Sequence, residues 1–337
     1  MKILVFEYVT AAGLAEEPSG SLLAEGELML AALLADLSAI PGVEVLALRD
    51  RRLPLPGWAF PEPEWVWVEP PRDGLACLEA TLPGVDAVWP IAPETGGILE
   101  SICRTVEQAG RALLSTPAAG VRLAAGKHAT IQRLQAHGVP VVPTVRLESG
   151  DVALLPFSPP CVVKPDDGAG CEAAWIVRSS AEWDENRKQL AAGTNWIVQP
   201  LIAGESLSLS GLFSRGHAVL WTVNRQHIVD EGHGFRLAGC GVNAMDDSDD
   251  SFADLARRVA AAVPELWGYA GIDLIRNEAG LHVLEINPRL TSSYAGLRSV
   301  LGGNPAASVL GLWRSGRLPD GCTSSRRVVE IDWSLDP

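Results

Sequence analysis

Two short runs decide the reading of this chain: Gly271-Ile272-Asp273-Leu274-Ile275, and Leu284-Glu285-Ile286-Asn287-Pro288-Arg289. The apolar residues alternate with polar ones in each, and Asn277–Gly280 between them has turn composition, so the spacing predicts two adjacent antiparallel strands, Gly271–Arg276 and Leu281–Ile286. Side chains two apart on a strand share a face, which puts Glu285 and Asn287 together and lets Asp273 join them from the neighbouring strand. Two carboxylates and an amide oxygen form an all-oxygen cluster of the kind that suits Mg²⁺ (Mn²⁺ as an alternative), because Mg²⁺ keeps some water and substrate phosphate. Arg289 continues the row as a planar cationic fork for phosphate or carboxylate. An ordinary polar surface hairpin would read the same way in isolation.

Working outward, Val162-Val163-Lys164 delivers a lysine from a strand into Pro165-Asp166-Asp167-Gly168-Ala169-Gly170. Glycines there let backbone N–H groups approach phosphate oxygens. The competing reading is a simple turn with a lysine extended to solvent. Lys127 heads a helix expected over Val121–His137. Gly126-Lys127-His128 is not a P-loop, since Ala125 and His128 break the pattern. Trp196-Ile197-Val198-Gln199-Pro200-Leu201-Ile202 has the form of a strand end followed by an extended segment.

The first hundred residues alternate strand and helix: Ile3–Phe6, Ala24–Leu37, Val43–Leu48, Trp65–Val68, Val85–Pro90 and Leu99–Ala109, with Leu113–Thr116 as the last strand. That order implies a parallel sheet covered on both faces. Strands are expected at Cys161–Lys164, Ala174–Val177, Trp196–Gln199, Leu207–Phe213 and Val219–Arg225. Helices are expected at Asp184–Leu190, Phe252–Val263 and Ala306–Arg314, and the end of the chain reads as a loose tail.

Composition narrows the function. The 337 residues carry 27 Lys plus Arg against 41 Asp plus Glu, a net charge of −14, which argues against nucleic-acid and anionic-membrane binding. With 47% hydrophobic and 20% charged residues a sizeable core is available. The six cysteines (Cys77, Cys103, Cys161, Cys171, Cys240 and Cys322) form no C-x-x-C pair and read as reduced core residues. The start lacks a signal-peptide h-region, and the longest apolar candidate, Leu28–Ile40, is interrupted by Asp36. A cytoplasmic protein is expected. No G-x-G-x-x-G follows the first strand, which counts against an NAD-dependent oxidoreductase. The histidines show no metal-ligand spacing.

Taken together, in this order and spacing, the four stretches resemble the ATP-grasp superfamily of carboxylate–amine ligases, over roughly Pro117 to Trp313. The resemblance implies an α/β fold in which an amino-terminal parallel α/β domain (1–116) precedes two α+β lobes that clamp ATP (117–197 and 198–320), with a tail at 321–337. It implies that Lys127, Lys164, Asp167, Gly168 and Gly170 meet the phosphates, and that Gln199, Pro200, Leu201 and Ile202 hold adenine. Asp273, Glu285 and Asn287 would hold Mg²⁺, and Arg289 with Lys164 would act on the acyl phosphate. Cys171 stands where a third loop glycine is common. Ser206 falls near the usual ribose-binding acid, so Glu205 is expected to replace it.

A narrower resemblance, to the tyramine–glutamate ligases of methanofuran biosynthesis, is carried by Phe6-Glu7-Tyr8, Gly13, Leu23-Ala24-Glu25-Gly26, Met29, Ile91-Ala92-Pro93-Glu94-Thr95, Asn224-Arg225-Gln226 and Asn287-Pro288-Arg289-Leu290-Thr291-Ser292-Ser293-Tyr294, together with the Lys164–Gly170 run. It implies small-molecule partners, glutamate and an aromatic amine (tyramine or tyrosine), and a homodimer in keeping with many relatives. Arg225, Ser292, Ser293, Glu7, Tyr8, Glu94 and Thr95 are the substrate-side candidates, with Glu25 beside them at a helix start of the first lobe. Glu7 and Glu94 follow strand ends, where open α/β sheets bind ligands. Another ATP-grasp ligase, or an ATP-binding protein without catalysis, would share the phosphate and metal residues.

Overall fold

Ile3, Leu4, Val5 and Phe6 are all fully buried, which requires cover on both faces of their strand. In the computed structural model, which describes residues 1–69, 73–147, 155–168, 173–190, 194–321 and 325–332, that strand is the centre of a parallel sheet. The sheet comprises β1 (Lys2–Glu7), β2 (Glu44–Asp50), β3 (Glu64–Val68), β4 (Ala87–Ile91) and β5 (Ala112–Leu113), in the order β3-β2-β1-β4-β5. Period-2 alternation sorts its faces. Ile3 and Val5 pack with Met29, Leu30, Leu33 and Leu34 of α1 (Gly20–Ser38). Leu4 and Phe6 pack with Leu78 of α2 (Gly74–Thr81) and with Leu99 and Ile102 of α3 (Ile98–Gln108). Each such leucine contributes about 1.5–3 kcal/mol by leaving water. The strand order reverses between β1 and β4, so their carboxyl ends form the crevice where such sheets bind ligands.

Glu7 ends β1, and its buried carboxylate turns back on its own chain. Oε1 accepts from the Val9 amide at 3.2 Å and Oε2 from the Thr10 amide at 2.7 Å. Burial outweighs those bonds and pushes its pKa up to about 7, with Glu27 adding to the rise.

The helix expected over Val121–His137 is two helices, α4 (Ala118–Ala125) and α5 (Lys127–Ala136). Gly126, at φ −80° and ψ 96°, breaks the run. The break frees the amides of Lys127 and His128, which donate to the main-chain and side-chain oxygens of Asp166 at 3.0 and 2.8 Å. A small antiparallel sheet follows: β6 (Val145–Arg146), β7 (Cys161–Pro165), β8 (Trp175–Val177) and β9 (Trp196–Pro200), in the order β6-β9-β7-β8. Its core of Cys161, Val163, Val177, Trp196 and Val198 is closed by Trp183 from α6 (Ser180–Asn186).

The third sheet is antiparallel throughout, in the order β14-β13-β10-β11-β12-β15. Its strands are β10 (Glu205–Ser214), β11 (His217–Asp230), β12 (Phe235–Val242), β13 (Gly268–Asn277), β14 (Gly280–Asn287) and β15 (Val329–Asp332). The sequence reading misses β12. It also assigns Val329–Asp332 to a tail, whereas these residues pair with Gly239–Val242 and cover the free edge of β12. α7 (Ser251–Ala262) packs on one face, while α8 (Tyr294–Leu301), also unforeseen, and α9 (Pro305–Ser315) pack on the other. The cysteines at 77, 103, 161 and 240 are buried and free, as expected; Cys171 and Cys322 lie outside the described residues. Among the described residues no helix is long and apolar enough to cross a membrane.

The first and third sheets share one hydrophobic core, because α1 packs against α8 and α9. Asp36 sits in that seam. Its Oδ2 accepts from Tyr294 Oη at 2.9 Å, its Oδ1 from Arg298 Nη1 at 3.1 Å, and its main-chain oxygen from Asn304 Nδ2 at 2.7 Å. The acid that spoils the apolar run Leu28–Ile40 thus ties two lobes together.

Two outcomes follow for stability. Asp36→Ala leaves the buried Tyr294 hydroxyl without its acceptor and should cost about 2–3 kcal/mol in urea unfolding, with Asp36→Asn milder. For Glu7, the folded carboxyl binds its proton more tightly than the unfolded one, so stability falls as pH rises from 4.5 to about 7. The wild-type protein should therefore lose up to about 3 kcal/mol relative to Glu7→Gln across that window, read as the difference between their unfolding free energies at each pH.

Candidate active site

Antiparallel pairing sets Asp273 directly opposite Glu285, and Gly271 opposite Asn287, so the two carboxylates emerge side by side from β13 and β14. Both are held. Asp273 Oδ2 accepts from Asn287 Nδ2 at 3.1 Å, and its Oδ1 accepts from Gln226 Nε2 of β11 at 3.1 Å. Glu285 Oε2 lies 3.3 Å from Lys127 Nζ and 3.4 Å from Lys164 Nζ. The lysines reach across from α5 and β7, and Lys127 Nζ also donates to the Gly168 carbonyl. Burial and the neighbouring Glu285 push the Asp273 carboxyl upward, whereas the two lysines overcome burial and hold Glu285 down.

This arrangement suits a divalent cation. Two buried acids on neighbouring strands repel each other, and the strain on Asp273 is what a cation between them would relieve. Among the described residues no three His, Cys, Asp or Glu side chains converge as a metal cluster. The available donors are two carboxylates and an amide oxygen, a set that leaves room for the water and phosphate oxygens Mg²⁺ retains.

Beside the carboxylates opens a cleft of about 560 Å³ between the small and large sheets. Lys164, Asp273 and Glu285 line one end, and apolar Val142, Val162 and Ile275 line its walls. Gln199, Pro200, Leu201 and Ile202 all border it. Gln199 Nε2 donates to Thr144 Oγ1 at 2.8 Å, and the Leu201 amide already donates to the Pro160 carbonyl at 2.9 Å. Asp167 turns to the first lobe, where its Oδ2 accepts from the Gly96 amide at 3.1 Å. Gly170 lies outside the described residues.

Two expectations fail by one residue of strand parity. Glu205 points to the opposite face of β10 and pairs with Arg276 and, at 3.2 Å, with Arg225, while Ser206 borders the cleft. Arg225 is likewise exposed on that opposite face, and its neighbour Gln226 is the residue of β11 that reaches Asp273. Glu7 and Tyr8 are also turned away. Glu7 binds its own loop as described, and the Tyr8 ring fills the space a side chain on Gly13 would occupy.

The first lobe does contribute through Glu94, whose Oε2 accepts from Arg289 Nε at 3.0 Å. Arg289 Nη1 donates to the Leu290 carbonyl at 3.1 Å. Burial works against the Arg289 charge, while Glu94 and Glu25 favour it. Thr95 opens the short turn Thr95–Gly97 beside the Asp167 contact. Ser293 joins a buried hydroxyl network with Ser210, Thr291 and Tyr269, at 3.1, 2.9 and 3.3 Å. Ser292 donates instead to Glu25 of α1.

Comparison with known proteins places this geometry. The model of the ATP-grasp domain matches residues 124–293, and that of the pre-ATP-grasp domain matches residues 43–121. Tyramine–L-glutamate ligase of Methanocaldococcus jannaschii is 26% identical over 314 residues, covering 91% of this chain and 87% of that protein. Among solved structures, an ATP-grasp superfamily protein from Archaeoglobus fulgidus superposes with a TM-score of 0.71 at 21% identity, over 100% of both chains. The L-amino acid ligase of Bacillus licheniformis gives 0.66 at 16% identity, over 92% of this chain and 73% of that one. At these identities the structural likeness speaks for the fold. The ATP-grasp match alone spans half of the sequence and takes in both lysines and all three residues of the oxygen cluster. The chain belongs to the ATP-grasp family.

Proposed function

We propose that the protein joins a glutamate carboxylate to an aromatic amine, tyramine or tyrosine, at the expense of ATP, the kind of amide found in methanofuran-type cofactors. The observation that carries this reading is the convergence of Lys127 and Lys164 on Glu285, beside Asp273, Asn287 and Arg289, in a chain similar over most of its length to a tyramine–L-glutamate ligase.

In the first step a carboxylate oxygen of glutamate attacks the γ-phosphorus of ATP, giving an acyl phosphate and ADP. In the second the amine nitrogen attacks the acyl carbon, loses a proton, and phosphate leaves. Such chemistry asks the protein for alignment and charge neutralisation. On this reading the apolar cleft walls and the segment Gln199–Ile202 hold the base. The phosphates compete for the two ammonium groups that Glu285 otherwise holds. Arg289, kept in place by Glu94, neutralises the acyl phosphate and then the tetrahedral oxyanion. Asp273, Glu285 and Asn287 hold Mg²⁺, which when bound shields phosphate charge. Gln226 and Asn287 fix the Asp273 carboxylate through both its oxygens.

Two experiments test this. Purified protein with Mg-ATP and L-glutamate should release ADP only when tyramine or tyrosine is added, with an amide of matching mass. ATP binding without amine-dependent release would sink the proposed substrates. Lys164→Ala should lose about a hundredfold in turnover, near 3 kcal/mol of transition-state stabilisation, while remaining folded by circular dichroism. Near-normal turnover in that variant would refute a role for Lys164 on the phosphates.

A further inference from the structure

A second, smaller cavity of about 70 Å³, with room for roughly five waters, adjoins the nucleotide cleft and shares Gln226, Leu237, Asp273 and Glu285 with it. Most of the side chains that complete its lining carry a polar group. Asn287, Arg289, Ser292 and Ser293 come from the end of β14 and the turn after it, Ser208 comes from β10, and Glu25 comes from α1 of the first lobe. Leu237 and Cys240 are its apolar members. Such a wall is poorly suited to an aromatic ring and well suited to a small charged molecule.

The acids around this site are nearly all committed. Glu94 is paired with Arg289, Glu285 with two lysines, Asp273 with two amide groups, and Glu7 with two backbone amides. Glu25 differs. It accepts one hydrogen bond from Ser292 Oγ, and among the described residues no Lys, Arg or His nitrogen lies within 4 Å of it. It is close enough to Arg289 to support the guanidinium charge. The cavity therefore offers a fixed cation on one side and a carboxylate without a cation on the other, the two poles that a zwitterion requires.

We infer that Glu25 binds the ammonium group of the carboxylate donor, so that the small cavity selects an amino acid over a simple carboxylic acid. The assignment rests on the reading of the protein as a ligase with glutamate as donor, and it adds the residue that recognises the donor's amino group. Ser292 orients the Glu25 carboxylate. Arg289 and the oxygen cluster face the carboxyl group to be activated, and the shared wall gives that group a path to the phosphate end of the cleft. The first lobe thereby supplies a specificity-determining side chain to a site otherwise built from the two lobes that enclose ATP.

The test compares L-glutamate with glutarate, which keeps both carboxylates and lacks the amino group, in steady-state ADP formation at saturating Mg-ATP and amine. The wild-type protein should favour glutamate. Glu25→Gln, which can still accept from Ser292, should raise KM for glutamate about tenfold or more, the scale of one charge-assisted hydrogen bond, and leave KM for glutarate unchanged. Glu25→Asp should recover part of the preference. Equal losses with both donors would mean that Glu25 only supports the fold of the pocket, and no loss with glutamate would remove it from the site; either result overturns the inference. If a different amino acid proves to be the donor, glutamate is wrong but the same comparison with that amino acid and its deamino analogue still decides the role of Glu25. A wild-type protein that uses glutarate as well as it uses L-glutamate overturns the assignment.

Discussion

Two acids buried side by side on neighbouring strands are the constraint around which this protein is arranged. Asp273 and Glu285 would repel each other if nothing answered them, and the answers come from three directions. Lys164 crosses from the small sheet to Glu285, Lys127 meets the same carboxylate from α5, which packs on β14, and Gln226 and Asn287 take both oxygens of Asp273. A cation between the carboxylates would complete the balance. The Lys164 contact also ties the small sheet to the large one, so the electrostatics of the site and the closure of the nucleotide cleft are linked.

The first lobe is drawn into the same network. Glu94 holds Arg289, Asp167 meets the Gly96 amide, and Ser292 meets Glu25. These contacts join the loop at the carboxyl end of β4 and the first turns of α1 to the turn after β14 and to the segment after β7. The crevice where a parallel sheet exposes its strand ends thus becomes one wall of the site.

Much of this was legible in the sequence, for identifiable reasons. Period-2 patterning gives β13 and β14 and the shared face of Asp273, Glu285 and Asn287, and the alternation of strands with helices gives the parallel sheet. Parity was the weak point. In choosing Glu205 over Ser206 and Arg225 over Gln226, the reading preferred the charged residue of each pair, whereas the strand faces present the neutral one to the cleft. A one-residue shift in a strand reverses every side chain, and only the pairing register resolves it. The break at Gly126 was hidden because a single glycine is tolerated within helical patterns, and the Asp166 oxygens that accept the freed amides lie about forty residues away. β12 carries little alternation of its own, β15 alternates over only four residues, and their pairing with each other is long-range. The sequence marks Glu25 only by its place at a helix start beside the other first-lobe candidates, since its contact with Ser292 spans 267 positions.

The seam at Asp36 has a consequence for modularity. An α/β lobe preceding an enclosing pair of lobes looks like a cassette, a unit for recombination to exchange. Here α1 is a wall of the core that also contains Tyr294, Leu297 and Val309, and Asp36 fastens its last turn to α8 and to the start of α9. Replacing the lobe would strip α8 and α9 of their cover, so an exchange would have to carry both helices with it. The inheritable unit is the first lobe together with the last two helices, a block discontinuous in sequence and continuous in space.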